Sequence, residues 1–214
     1  MTSQSEQADG SAASALSDLQ RAERELLDMF AHQVAGRPFG YQDIFLWGVG
    51  SRTLAQARAF RQCVEDRNSL VALAILRLQL DTVLRLYGLY WVTDPEEFAH
   101  QVFDGQQINR LKAADGQQMS DAYLRRKIKG IYPWIERVYE STSGLIHFSG
   151  RHMHSVIRLD DADTGEAELS IGPTSRHHRL SDYAEPLEAF AHCTLIVVEA
   201  VRDWYSERHT FHRR

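Results

Sequence analysis

The sequence predicts an all-α protein, a helical bundle of five to seven helices with a small β-hairpin inserted before the C-terminal helix. Three observations lead there. Apolar residues recur at helical spacing through most of the chain. Ser, Asp, Pro and Gly punctuate it at helix-length intervals. The only stretches that alternate with period two are short and lie late, at 155–160 and 167–172.

The elements follow in order. Residues 1–14 are rich in Ser, Ala, Gln and Gly, lack apolar periodicity, and read as disordered. A first helix is expected from Leu16 to Gln33, with Leu16, Leu19, Leu26, Leu27 and Phe30 on its apolar side. "AGRPFGYQDIFLWG" (35–48) then breaks helicity through Gly36, Pro38 and Gly40. Ser51 is the expected N-cap of a second helix reaching Asp66. Arg67 to Trp91 is a third helix, or a continuation of the second, and is apolar almost all round, as a central bundle helix is. Asp94 caps a short helix with Pro95 at its first position and Glu96 and Glu97 in its first turn. "DGQQ" at 104–107 and 115–118 marks two turns. Ser120 to Lys129 forms the next helix, ended by Gly130, and Pro133 opens another. "SVIRLD" and "AELSIG" flank the turn-rich "DADTGE" as a hairpin, and Ser181 caps a last helix to about Arg208. No linker splits residues 15–214, which read as a single helical domain.

Composition narrows the function classes. The chain has 214 residues, 43% hydrophobic and 25% charged, with net charge −5, a balance that disfavours non-specific nucleic-acid binding. Its two cysteines, Cys63 and Cys193, have no paired spacing and read as reduced thiols. The N-terminus has no basic and apolar leader pattern. The most apolar stretch, Leu70 to Val92, is interrupted by Arg77, Asp81 and Arg85, so no membrane span is expected and the setting reads as cytoplasmic.

The candidate chemistry lies on the helix opened by Pro133. At 100° per residue, Trp134, Ile135, Val138, Tyr139, Thr142, Leu145, Ile146 and Ser149 share the core side, while Ser143 and His147 stack on the other beside Glu136 and Glu140. Arg151 and His154 join them if the helix continues. One reading is a polar site facing a cleft. The other is a solvated face, with the Ser143 hydroxyl bonded back to the Tyr139 carbonyl. Arg77, Asp81 and Arg85 form an i, i+4, i+8 ladder on the apolar third helix; it is either a salt-bridged stripe or, where buried, a set of charges needing partners that the Ser143/His147 face would supply. The candidate polar site is therefore Ser143, His147, Arg77 and Asp81. His147, His152 and His154 fit no metal-ligand spacing, Glu97-x-x-His100 occurs once, and neither a metal nor a cofactor is expected. Glu188, His192 and Glu199 align as a solvent face of the last helix. "YLRRKIKGIY" (123–132) is a basic run that would touch RNA or phosphate, or simply be solvated.

Arg202-x6-His209 resembles the motif of HEPN-type ribonucleases. That resemblance implies His209 as acid or base at a ribose 2′-hydroxyl and Arg202 stabilising the phosphorane charge without metal. From Phe60 to His154 the chain is similar to a set of bacterial helical-bundle proteins with no established activity. They share Arg-x-x-x-acid (Arg77, Asp81) and Tyr-x-x-x-Ser-x-x-x-His (Tyr139, Ser143, His147), and "YPWIERVYESTSGLIHFS" carries most of the likeness. The resemblance implies an α-helical bundle, distantly like HEPN and abortive-infection families. Two functions are expected from these readings. The first is a bundle with no assigned activity whose polar helix face mediates binding or homodimeric self-association. The alternative is a HEPN-like, metal-independent ribonuclease acting on RNA in defence.

Overall fold

The computed structural model describes residues 2–34, 38–146, 149–154, 156–161, 166–169, 171–172 and 179–211. These form eight α-helices: α1 (Thr2–Val34), α2 (Tyr41–Glu65), α3 (Ser69–Gly88), α4 (Pro95–Phe103), α5 (Asp121–Lys129), α6 (Trp134–Thr142), α7 (Gly150–His154) and α8 (Ala184–Phe211). The all-α class holds. The helix count exceeds the expected five to seven because the five-residue α7 follows Gly150 as a separate turn. Short segments β1 (Ile157–Asp161) and β2 (Glu166–Leu169) pair antiparallel, Ile157 opposite Leu169. Most of the "DADTGE" turn expected between them lies outside the described residues.

α3 and α8 pack together at the centre, with α1 along α8, α2 along α3, α4 against α2, and α5 and α6 against α3. Their contact surfaces bury Leu76, Leu80, Leu84, Leu187, Val197 and Val201. Phe60 and Phe190 stack at 4.2 Å where α2 meets α8. No helix among the described residues is long and apolar enough to cross a membrane.

Several boundaries differ from the sequence expectation, each for a physical reason. The segment 1–14 is helical from Thr2 rather than disordered. Ala12, Ala15, Leu19, Ala22 and Leu26 form one buried seam with spacings of three and four, and the small alanines let α1 approach its neighbours closely. Alanine contributes little hydrophobic contrast to a sequence but is the best helix former.

α2 starts ten residues before Ser51. Its N-terminal N–H groups are capped by carboxylates: Gly40 N–H donates to buried Asp43 (2.8 Å), and Glu96 of α4 accepts from Tyr41 N–H (2.7 Å) and Gln42 N–H (3.3 Å). α2 and α3 are separate helices, because Arg67 takes a left-handed φ of 56° and Asn68 then caps α3 through Val71 N–H (3.2 Å). Asp94 caps α4 as expected, Ser120 caps α5, and Gly105 and Gly116 supply the positive φ of the two "DGQQ" turns.

α6 stops at Thr142 and passes into a 3-10 turn, Ser143–Leu145, instead of running on to Ser149. Three successive hydroxyls compete for the last carbonyls: Ser141 (2.9 Å) and Thr142 (2.7 Å) both donate to Val138, and Ser143 donates to Glu140 (3.2 Å). α8 is preceded by a 3-10 turn, Leu180–Tyr183, capped by Asp182 on Arg179 N–H (2.7 Å), not by Ser181.

Candidate functional site

Of the residues that the sequence joined into one polar site, Arg77, Asp81 and Ser143 are used separately. The Arg77 guanidinium lies 3.8 Å from the centre of the Tyr139 ring, and Arg125 lies 4.1 Å from the same centre. Arg125 is anchored in turn by Glu136, and more loosely by Glu140 at 3.9 Å. Arg77 is thus matched with an aromatic face, whereas Asp81 pairs with Arg85 (3.0 Å), which also reaches Asp121 (2.5 Å). Ser143 is exposed and bonds to Glu140 rather than Tyr139, because the 3-10 turn shortens the return from four residues to three. His147 lies outside the described residues. Among the described residues, Arg77, Asp81 and Ser143 share no hydrogen bond or ion pair with one another.

The other sequence candidates are likewise dispersed. Arg202 is exposed on α8 and paired with Glu25 of α1. His209 falls within α8, but its side chain is outside the described set. His152 accepts from Ser149 N–H (3.1 Å). Within the basic run, Arg126 bonds to Gln117 (2.8 Å) and Lys127 sits over Trp91. Glu188, His192 and Glu199 are exposed, as a solvent face requires, and they border a groove of about 800 Å³ between α3, α6 and α8 where His192 tilts against Trp134. Among the described residues no group of three His, Cys, Asp or Glu side chains is placed to hold a metal ion.

A different place brings chemistry together. A cleft of about 420 Å³ opens between α2, α3 and α4. Its apolar walls are Ile44, Phe45 and Val49 of α2 and Ala99, Val102 and Phe103 of α4. Tyr41 stacks on His100 (ring centres 4.3 Å apart) and leans on Phe103, which is 62% exposed. α3 contributes Asp81, Thr82 and Arg85, and α2 contributes Arg52. Arg52 Nε donates to Thr82 Oγ1 (3.0 Å), and that hydroxyl lies within donating distance of Gln56 Oε1 (3.2 Å) and the Leu78 carbonyl (3.0 Å). One nitrogen of Arg85, Nη1, is buried without a hydrogen-bond partner. An unsatisfied buried donor costs about 1–3 kcal/mol.

Gly48 shows that helix packing does not close this cleft. It sits mid-helix on the cleft wall, and a Cβ built there would meet nothing within 4 Å. Gly50, two residues on, is filled by the Phe30 ring, 2.1 Å from where its Cβ would be. Sequence reading missed Gly48, Arg52 and Thr82. A glycine inside a helix pattern was a signal, but it was absorbed into an expected break.

Fold and cleft together define an all-α helical-bundle protein with an open cleft that is apolar along its walls and charged at α3. No protein-family model, curated protein or solved structure matches this chain.

Proposed function

We propose that this chain is a binding protein, and that the cleft between α2, α3 and α4 receives a compact, largely apolar small molecule. The observation that carries this reading is Gly48. A helix-interior glycine costs about 0.5–1 kcal/mol relative to alanine, and no neighbour requires its missing side chain. The space it leaves is walled by Ile44, Phe45, Val102 and Phe103. The volume falls within the range of about 300–1,000 Å³ for ligand pockets, which combine apolar walls with a few convergent polar groups. The free thiols Cys63 and Cys193 suit a reducing, cytoplasmic setting.

The ribonuclease alternative gains no support from the geometry, since Arg202 is already matched with Glu25. The test of the binding reading is titration with 2-phenylethanol, followed by backbone amide NMR. Shifts are expected at Ile44, Gly48, Val49 and Val102, and they disappear in Gly48→Leu, which fills the cleft while favouring the helix. Shifts confined to other parts of the molecule would end this reading.

A further inference from the structure

We infer that the cleft ligand is zwitterionic: an α-amino acid with an aromatic side chain, its carboxylate held by Arg52 and its ammonium group by Asp81. This rests on the reading of the cleft as a binding site and adds the ligand's head group.

The argument is the hydrogen-bonding capacity left over at the charged side. Arg52 uses Nε on Thr82, and among the described residues no carboxylate pairs with its terminal nitrogens. The Thr82 hydroxyl has no proton to spare: its oxygen accepts from Arg52, and its single proton goes to Gln56 or to the Leu78 carbonyl. Arg85 is held between Asp81 and Asp121, both carboxylates. Asp81 engages Arg85 through Oδ1 alone, at 3.0 Å, so Oδ2 keeps its capacity to accept. The uncommitted groups are therefore a guanidinium edge on α2 and, on α3, one Asp81 oxygen and the buried Nη1 of Arg85, on facing helices of one cleft.

The two charges select the head group by excluding its fragments. A ligand with only a carboxylate meets Arg52 but brings its charge beside Asp81. A ligand with only an amine meets Asp81 but lies beside Arg52 and Arg85. A ligand bearing both groups on one carbon satisfies both sides, and like-charge juxtaposition disfavours the others. Tyr41, Phe45 and Phe103 supply aromatic surface on the same cleft, which favours an aromatic side chain at the apolar side.

The test is calorimetric titration of the full chain with L-phenylalanine, 3-phenylpropionate, 2-phenylethylamine and 2-phenylethanol. L-Phenylalanine is expected to bind at least ten-fold more tightly than each of the others. Arg52→Gln should erase its advantage over the amine, and Asp81→Asn its advantage over the carboxylate, with melting temperatures recorded to confirm that both variants fold. If a single-charge or neutral analogue binds as tightly as L-phenylalanine, and Gly48→Leu abolishes that binding, the cleft stands and the zwitterion is wrong. If no probe binds, or Gly48→Leu leaves binding unchanged, the cleft reading fails and the head-group inference falls with it.

Discussion

Gly48 and Gly50 lie two residues apart in α2, yet alanine at each should act in opposite directions. At Gly48 a methyl group meets nothing within 4 Å, so only backbone entropy changes. The expected gain is about 0.5–1 kcal/mol. For a chain of this size, melting temperature moves by about 2–4 °C per kcal/mol, so Gly48→Ala should raise it by a few degrees. At Gly50 the added carbon would stand 2.1 Å from Phe30 Cε2 and 2.6 Å from Cζ. The ring must leave its seat between α1 and α2, and overpacking of this kind costs about 1–3 kcal/mol. After subtracting the helix gain, Gly50→Ala should be destabilised by up to about 2.5 kcal/mol, from the same two terms. Thermal unfolding followed by circular dichroism, with urea titration as a second measure, reads both variants. If the two alanines shift stability equally and in the same direction, Phe30 does not seat on Gly50. The placement of α1 against α2, and the contrast between an open Gly48 and a filled Gly50, would then both be wrong.

Three further outcomes follow from the geometry. Glu96→Ala removes the carboxylate that holds Tyr41 and Gln42 N–H at the start of α2. Hydrogen bonds to charged groups contribute about 1.5–3 kcal/mol, so urea denaturation should show a loss of that order, and an unchanged midpoint would refute the cap. Alkaline pH should destabilise the fold: burial raises the Cys193 thiol above its ordinary value of 9.0, and burial followed by the Tyr132 hydroxyl raises Tyr87 above 10.0. Above these ordinary values the unfolded chain loses protons that the folded chain keeps, so stability is full below pH 9 and falls as pH rises. Cys193→Ala should flatten that fall by up to about 1.4 kcal/mol per pH unit, and a stability profile level to pH 11 would contradict it. Finally, RNA incubated with the protein in EDTA should stay intact. Cleavage lost on His209→Ala or Arg202→Ala would instead restore the ribonuclease reading.

Capping shows where sequence reading succeeds. Asp94 accepts from N–H groups two and three residues on, so the signal and its effect lie in one short window. Glu96 has the same chemistry, but it caps a helix 55 residues away, and nothing local in "GYQDIFLWG" reveals that. The α6 face was projected by assuming an unbroken helix. The hydroxyls of Ser141, Thr142 and Ser143 end that helix, so the α-helical phase projected from Ser143 onward does not hold. Arg77 and Asp81 were rightly singled out as charges on a central helix. Their partners turned out to be a ring and a neighbouring arginine rather than each other's face.

By itself the sequence determined the all-α class, the apolar character of α3 and the capped start of α4, because helical periodicity and capping act over a few residues. Only the tertiary structure decided that α1 extends to Thr2, that Arg77 lies on Tyr139 and that Gly48 borders an open cleft while Gly50 does not. Those outcomes depend on which distant surface each residue meets. Two glycines in "GVGS" are chemically identical until a phenylalanine eighteen or more residues away fills the space beside one of them.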